Sequence, residues 1–212
     1  CRVVVNYAHG REAAEAVARS IGGTAYGCDI SDEAAVETMF REIGSIDILV
    51  NNARIDPYKR SAGMRDGEWW DAVMAVNLKG AYLCGKLALE QMKTKRWGRM
   101  VHISSIWAYQ PPNERMLSYA AAKSAMHALS RGFAALGAPY GVTSNVLAPG
   151  LILTDLCTER LTPEMMQREL DTIPLRRGAP PGEVAEAVFD LAKSGFLTGE
   201  VVNLNGGAFM RP

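Results

Sequence analysis

Ile46-Asp47-Ile48-Leu49-Val50, followed directly by Asn51-Asn52-Ala53, is the stretch that decides the fold. Asp47 apart, its first five residues are apolar on both faces, which is how a strand reads when helices cover a parallel sheet on both sides. Working outward, the pattern repeats. Residues 3–7 read as a strand and 11–21 as an Ala-rich helix ending at Gly22-Gly23. Residues 24–29 form a second strand, and Ser31-Asp32-Glu33-Ala34 opens a helix to about 43 with Ser31 as its N-cap.

Beyond the deciding strand, a polar loop spans 56–67, and 69–95 carries enough apolar positions for one long helix or two abutting ones. Residues 99–104 read as a strand, 108–117 as irregular because of Pro111-Pro112-Asn113, and a helix bearing Tyr119 ends near Gly137. A strand over 142–147 stops at Ala148-Pro149-Gly150, a helix runs over 182–193, and 201–204 is the last strand. Strands alternating with helices, without repeat, low-complexity tract or linker, predict a single α/β domain over 1–212 with a doubly wound parallel sheet. A chain of this length buries roughly 70% of its unfolded surface, enough for a substantial core.

Composition excludes more than it selects. The 23 basic and 23 acidic side chains balance, so nothing points to nucleic acid or a membrane surface, and a small-molecule ligand is expected. Cys1, Cys28, Cys84 and Cys157 are too scattered for a zinc motif, and His9, His102 and His127 are equally dispersed, so no metal site is expected. No segment reads as a signal peptide or spanning helix, and free thiols in a reducing cytoplasm are the expected setting.

In a doubly wound sheet, ligands bind beyond the carboxyl ends of the strands. Asp29, Asn51-Asn52-Ala53, Ser104-Ser105 and Pro149-Gly150 each follow a strand there. The next helix carries Ser118-Tyr119-Ala120-Ala121-Ala122-Lys123, which places Tyr119 and Lys123 one turn apart on one face. At about 5 Å and an effective dielectric of about 20, the ammonium stabilises a phenolate by about 3 kcal/mol, or roughly two pKa units. Such a phenol approaches the range where acid–base catalysis works best. Tyr82 and Lys86 have the same spacing, so spacing alone does not identify a site.

Order along the chain separates the two pairs. Asn51-Asn52-Ala53, Asn77, Ser105, Tyr119, Lys123, Pro149-Gly150-Leu151-Ile152-Leu153-Thr154, Leu197-Thr198-Gly199-Glu200 and Asn205-Gly206-Gly207 together resemble the short-chain dehydrogenase/reductase family, in its single-domain, 3-oxoacyl-carrier-protein-reductase-like branch. The resemblance covers essentially the whole chain. It implies an NAD(P)-dependent oxidoreductase interconverting a carbonyl and a secondary alcohol. Tyr119 would exchange the proton, Ser105 polarise the carbonyl, Lys123 lower the Tyr119 pKa and bind the nicotinamide ribose, and Asn77 support a proton relay. Ser104, the competing serine, is expected to serve the strand end instead.

The same resemblance assigns cofactor contacts. Asp29 and Ile30 would meet the adenine, Asn51 and Ala53 the adenosine side, and Ile152 and Thr154, after Pro149 and Gly150, the nicotinamide. Asp29 reads equally as a helix-terminal cap. NAD binders place an acid after the second strand for the ribose hydroxyls. Here Asn6-Tyr7-Ala8-His9-Gly10-Arg11 holds none, which favours NADP over NAD, with His9 or Arg11 toward the 2′-phosphate. A homo-oligomer, tetramer or dimer, is implied through the helices around 83–92 and 121–136. Ile106, Trp107, Tyr109 and the segment 158–173, with Met165 and Met166, are expected to cover a pocket for an apolar or ring-containing substrate.

Two features depart from the family. Its glycine-rich pyrophosphate turn has no counterpart, Gly10 being the only glycine between the first strand and first helix. The family's first strand and first helix are therefore expected upstream of Cys1. Arg54 stands where the family has Gly, so its side chain either crowds the cofactor or points outward. A catalytically silent dinucleotide-binding or scaffolding protein of the same fold is the alternative these departures motivate.

Overall fold

The computed structural model describes residues 1–210. Strand β1 (Val4–Tyr7), helix α1 (Arg11–Ser20), strand β2 (Thr24–Gly27) and helix α2 (Glu33–Ile43) form the first layer. The cap of α2 is Asp32, whose side chain accepts from Ala35 N at 3.2 Å, and not Ser31 as the sequence suggested. Ser31 is already committed, because its N and Oγ both donate to Asp29 Oδ1, at 2.9 and 2.8 Å.

The deciding strand is β3 (Ile48–Asn51), starting two residues later than read and ending on the first Asn. Residues 66–95 form one continuous helical path: α3 (Asp66–Met74), a π-turn (Ala75–Gly80) and α4 (Ala81–Lys95). By length and hydropathy this run could cross a membrane, yet half of its most apolar window is buried inside the protein. Strand β4 (Gly98–Ile103) leads through two 3-10 turns (Ile106–Ala108, Glu114–Met116) into α5 (Leu117–Gly137). Strand β5 (Val142–Pro149) precedes α6 (Asp155–Arg160), α7 (Pro163–Thr172), α8 (Pro181–Lys193) and β6 (Val201–Leu204).

Every strand pair is parallel, as an α/β doubly wound fold requires. The sheet comes in two pieces, ordered β1-β2 and β3-β4-β5-β6. No ladder joins β1 to β3, and Ile48 and Val50 of β3 are 40% and 42% exposed. A shared core bridges the pieces instead. Val36, Met39 and Phe40 of α2 pack with Leu83, Cys84, Leu89 and Met92 of α4 and with Met100 of β4. On the opposite face Leu191 of α8 meets Val101 and Leu147. All eight residues of β5 are buried, the strand covered on both sides.

The last residue of the π-turn packs closely on the loop after β2. A Cβ on Gly80 would lie 2.6 Å from both Cδ1 and Cγ1 of Ile30, so only glycine lets the helix approach the end of β2 this closely.

Candidate active site

Four strand ends reach one edge, and the side chains there are tied to one another. Ser104, following β4, donates from Oγ to Lys123 O at 3.1 Å and shares a 2.7 Å hydrogen bond with His127 Nε2. It therefore anchors α5 to the strand, a structural role broader than the strand-end capping expected. Ser105 caps the 3-10 turn after it, its Oγ accepting from Trp107 N at 3.2 Å. Trp107 stands edge-on to the Tyr119 ring, centroids 6.2 Å apart.

Tyr119 is 6% exposed and Lys123 1%. Lys123 Nζ donates to Ile103 O at 2.6 Å and lies 5.7 Å from the Tyr119 ring centroid. The pair is thus adjacent, but its electrostatics differ from the sequence expectation. Burial pushes the Tyr119 phenol up, the Arg54 charge and nearby Ser105 pull it down, and the balance stays raised. Burial, with Arg54 adding to it, pushes Lys123 down to about 7. Both partners lose water together, so the two-unit acidification calculated for a solvated pair does not appear. Tyr82 is 43% exposed and lines an open apolar groove of about 630 Å³ with Met74, Leu78 and Leu129, away from the strand ends.

Asn77 sits fully buried in the π-turn, against which α5 packs. Its Oδ1 accepts from Ile55 N at 2.7 Å, which fixes the loop after β3, while its buried Nδ2 has no protein partner. That donor is suited to a small polar ligand or a relay water.

The remaining predicted residues divide between structural duty and availability. Asn51 is turned into the sheet, its Nδ2 bonding Ala81 O at 3.3 Å and His102 Nδ1 at 3.1 Å, while Ala53 is exposed. His102 is completely buried and bonds Ser144 Oγ at 3.2 Å through Nε2; burial, with the Lys123 charge, pushes it down to about 4. The imidazole is neutral, a role that sequence reading left general. Asp29 spends Oδ1 on Ser31 and leaves Oδ2 toward solvent; its carboxyl is held low by the Ser31 backbone and hydroxyl bonds. Ile30 packs its side chain on Gly80.

Pro149 ends β5, and Gly150 N donates to Leu204 O at 2.9 Å, with Asn205 Cβ only 2.9 Å from where a Gly150 Cβ would stand. Ile152 bridges to Ala179, and Thr154 caps α6 by accepting from Cys157 N at 3.3 Å. Arg11 pairs with Glu15 at 2.7 Å, which reduces its availability to a phosphate.

Sequence reading missed a further cluster. The Asp56 carboxylate, 7% exposed, accepts from Tyr58 N at 3.0 Å and pairs with Arg160 of α6. Arg54 approaches the same carboxylate at 3.8 Å. The only available signal was the Arg-Ile-Asp spelling at 54–56; Arg160 lies 104 residues away.

Comparison with known proteins agrees with this arrangement. The family model described as enoyl-(acyl carrier protein) reductase matches residues 1–208. The 3-oxoacyl-[acyl-carrier-protein] reductase FabG of Haemophilus influenzae is 35% identical over 215 residues, covering 98% of this chain and 88% of that protein. FabG of Staphylococcus aureus is 35% identical with the same coverage, and FabG of Aquifex aeolicus is 36% identical over 92% of this chain and 81% of its own. The parallel strands and these likenesses over most of both chains agree: the chain belongs to the short-chain dehydrogenase/reductase family and is an oxidoreductase of the NAD(P)-dependent kind.

Proposed function

We propose that the protein reduces the 3-oxo group of an acyl thioester, or a similar small ketone, and runs the alcohol oxidation in reverse. The observation that carries this reading is the buried pair Tyr119 and Lys123, with buried Asn77 and half-buried Ser105, at the edge where β3, β4 and β5 end. A carbonyl becoming an alkoxide needs a positioned proton donor and a dipole aimed at its oxygen. Tyr119 is the donor. Its raised pKa keeps the phenol protonated at neutral pH, as reduction requires, and oxidation gains as the pH rises and the phenolate forms. Ser105 holds the same oxygen. Lys123, clamped to Ile103 O, fixes the electrostatic environment of Tyr119, and Asn77 carries the relay through its unpartnered Nδ2.

The residues present fit a nicotinamide dinucleotide at both ends. Asp29, Ile30 and Ala53 would meet the adenosine side, with Asn51 acting through its backbone. Lys123, Pro149, Gly150, Ile152 and Thr154 would hold the nicotinamide side. When bound, the dinucleotide supplies the hydride. NADP is favoured over NAD, because the loop from Asn6 to Arg11 carries no carboxylate and His9 is exposed there. We also infer a cytoplasmic enzyme, from four unpaired cysteines, forming a single catalytic domain. It assembles as a homodimer or homotetramer through the face bearing Tyr82, Leu78 and Leu129. Leu83 and Met92, in the region first expected to form that interface, point into the core instead.

Two descriptions of relatives differ, one naming an enoyl and the other a 3-oxoacyl substrate. Oxygen-directed groups at Tyr119 and Ser105 favour the 3-oxoacyl class. NADPH consumption with an acetoacetyl thioester, against a crotonyl thioester, tests this. Turnover of the acetoacetyl compound is expected; turnover of the crotonyl compound alone, or of neither, contradicts it.

A further inference from the structure

Arg54 is the one charged residue directly after the Asn51-Asn52-Ala53 strand end, and its surroundings leave it underused. Its guanidinium makes a single ion pair among the described residues, 3.8 Å from Asp56 Oδ1, and no hydrogen bond. Asp56 is already satisfied by Arg160 and by Tyr58 N at 3.0 Å, and the Arg160 guanidinium carbon lies over the Tyr58 ring, 4.1 Å from its centroid. Two guanidiniums thus share one carboxylate, leaving one positive charge uncompensated. That surplus falls on Arg54, whose side chain is 39% exposed against 28% for Arg160. Glu169, the other acid of this region, acts on Tyr58 and Cys157.

The backbone that carries Arg54 is anchored at the next residue. Ile55 N is fixed on Asn77 Oδ1 at 2.7 Å, so the residue before it cannot swing freely from the strand end. Its charge reaches the buried pair: it pulls both Tyr119 and Lys123 downward. A planar fork with free parallel donors, at the mouth of a site that protonates a carbonyl oxygen, suits a carboxylate in two-point contact.

We propose that Arg54 binds an anionic group of the substrate and selects carbonyl compounds bearing a carboxylate beside the reacting ketone, the class of free 3-oxo acids. This rests on the carbonyl-reductase reading and adds to it, among its small ketones, an anionic class beside the neutral acyl thioesters. The anion Arg54 binds could instead be a cofactor phosphate, so the experiment separates the two.

Rates with NADPH are measured for acetoacetate and for its neutral analogue ethyl acetoacetate, in the wild type, R54G and R54K. Loss of a charge-assisted contact is expected to lower kcat/KM for acetoacetate about tenfold or more in R54G. The ester should change less than about twofold, a neutral group having no such contact to lose. R54K should recover part of the acetoacetate rate, and KM for NADPH should hold in both variants. Equal losses with the two substrates, or a raised KM for NADPH in R54G, assign Arg54 to folding or to the cofactor and overturn the proposal. A wild type that reduces the ester but not acetoacetate overturns it while leaving the reductase reading intact. Reduction of neither compound overturns the proposal, and the acetoacetyl thioester assay then decides the reductase reading separately.

Discussion

Lys123→Met tests the electrostatics of the site through stability alone. The folded lysine titrates near 7 and the unfolded one near 10.5. A depressed folded pKa means that the folded state releases its proton first. The associated stability is therefore complete above pH 10.5 and is lost as pH falls toward 7. The gap of about 3.5 units corresponds to at most about 5 kcal/mol, of which roughly 4 falls between pH 7 and 10. Methionine keeps an apolar stem of similar length and removes the charge. It also removes the bond to Ile103 O, an offset that does not vary with pH. Urea unfolding of both proteins at intervals from pH 7 to 10, followed by tryptophan fluorescence, gives the difference curve. Cys84, pushed up to about 12 by burial, titrates alike in both and cancels. The wild type should gain about 4 kcal/mol on the variant across this range. Parallel curves would show that Lys123 stays fully charged in the fold, and the argument from burial would fail.

His102, held near 4 against an ordinary 6.5, places its own linkage at lower pH: its contribution is full above 6.5 and is lost as pH falls through 4, about 3 kcal/mol in all. His102→Gln should flatten that acid limb in urea titrations, and an unchanged limb counts against a buried neutral imidazole. Gly80→Ala should destabilise by about 1–2 kcal/mol, overpacking on Ile30 outweighing the gain in helix propensity. Adding Ile30→Val should restore part of the loss, and additive losses would place the clash elsewhere. Asn77→Ala strands Ile55 N and should loosen the loop after β3, seen as faster amide hydrogen exchange at 54–58. Unchanged exchange there refutes the clamp.

Elements whose signal is local were legible in the sequence. The strand beginning at Val142, the helix ending at Gly137 and the final strand at 201–204 form where patterning places them. Helices α6 and α7 were read only as a covering segment, although Thr162-Pro163 spells an N-cap followed by proline at the first helical position. The cap of α2 went to Asp32 because Asp29 competes for Ser31, a choice between neighbours that propensity does not rank. Tyr119 and Lys123 could be paired by spacing, and Ser105 joined them only through the ordered motifs that resemble the family. Their titration could not be read, because it depends on how completely α5, β4 and the 106–108 turn exclude water. Likewise, Asn51 reads as a ligand residue until His102 and Ala81 are seen to claim its amide. The Asp56–Arg160 pair joins the loop after β3 to helix α6, which no sequence period connects.

The central claim, that Tyr119 delivers the proton, is tested most directly by NADPH-dependent reduction of an acetoacetyl thioester in Tyr119→Phe, with Tyr82→Phe as the control of equal spacing. Loss of a positioned acid should slow Tyr119→Phe by about 10²–10⁴-fold, while Tyr82→Phe keeps the wild-type rate. A Tyr119→Phe enzyme that turns over as fast as wild type would contradict it.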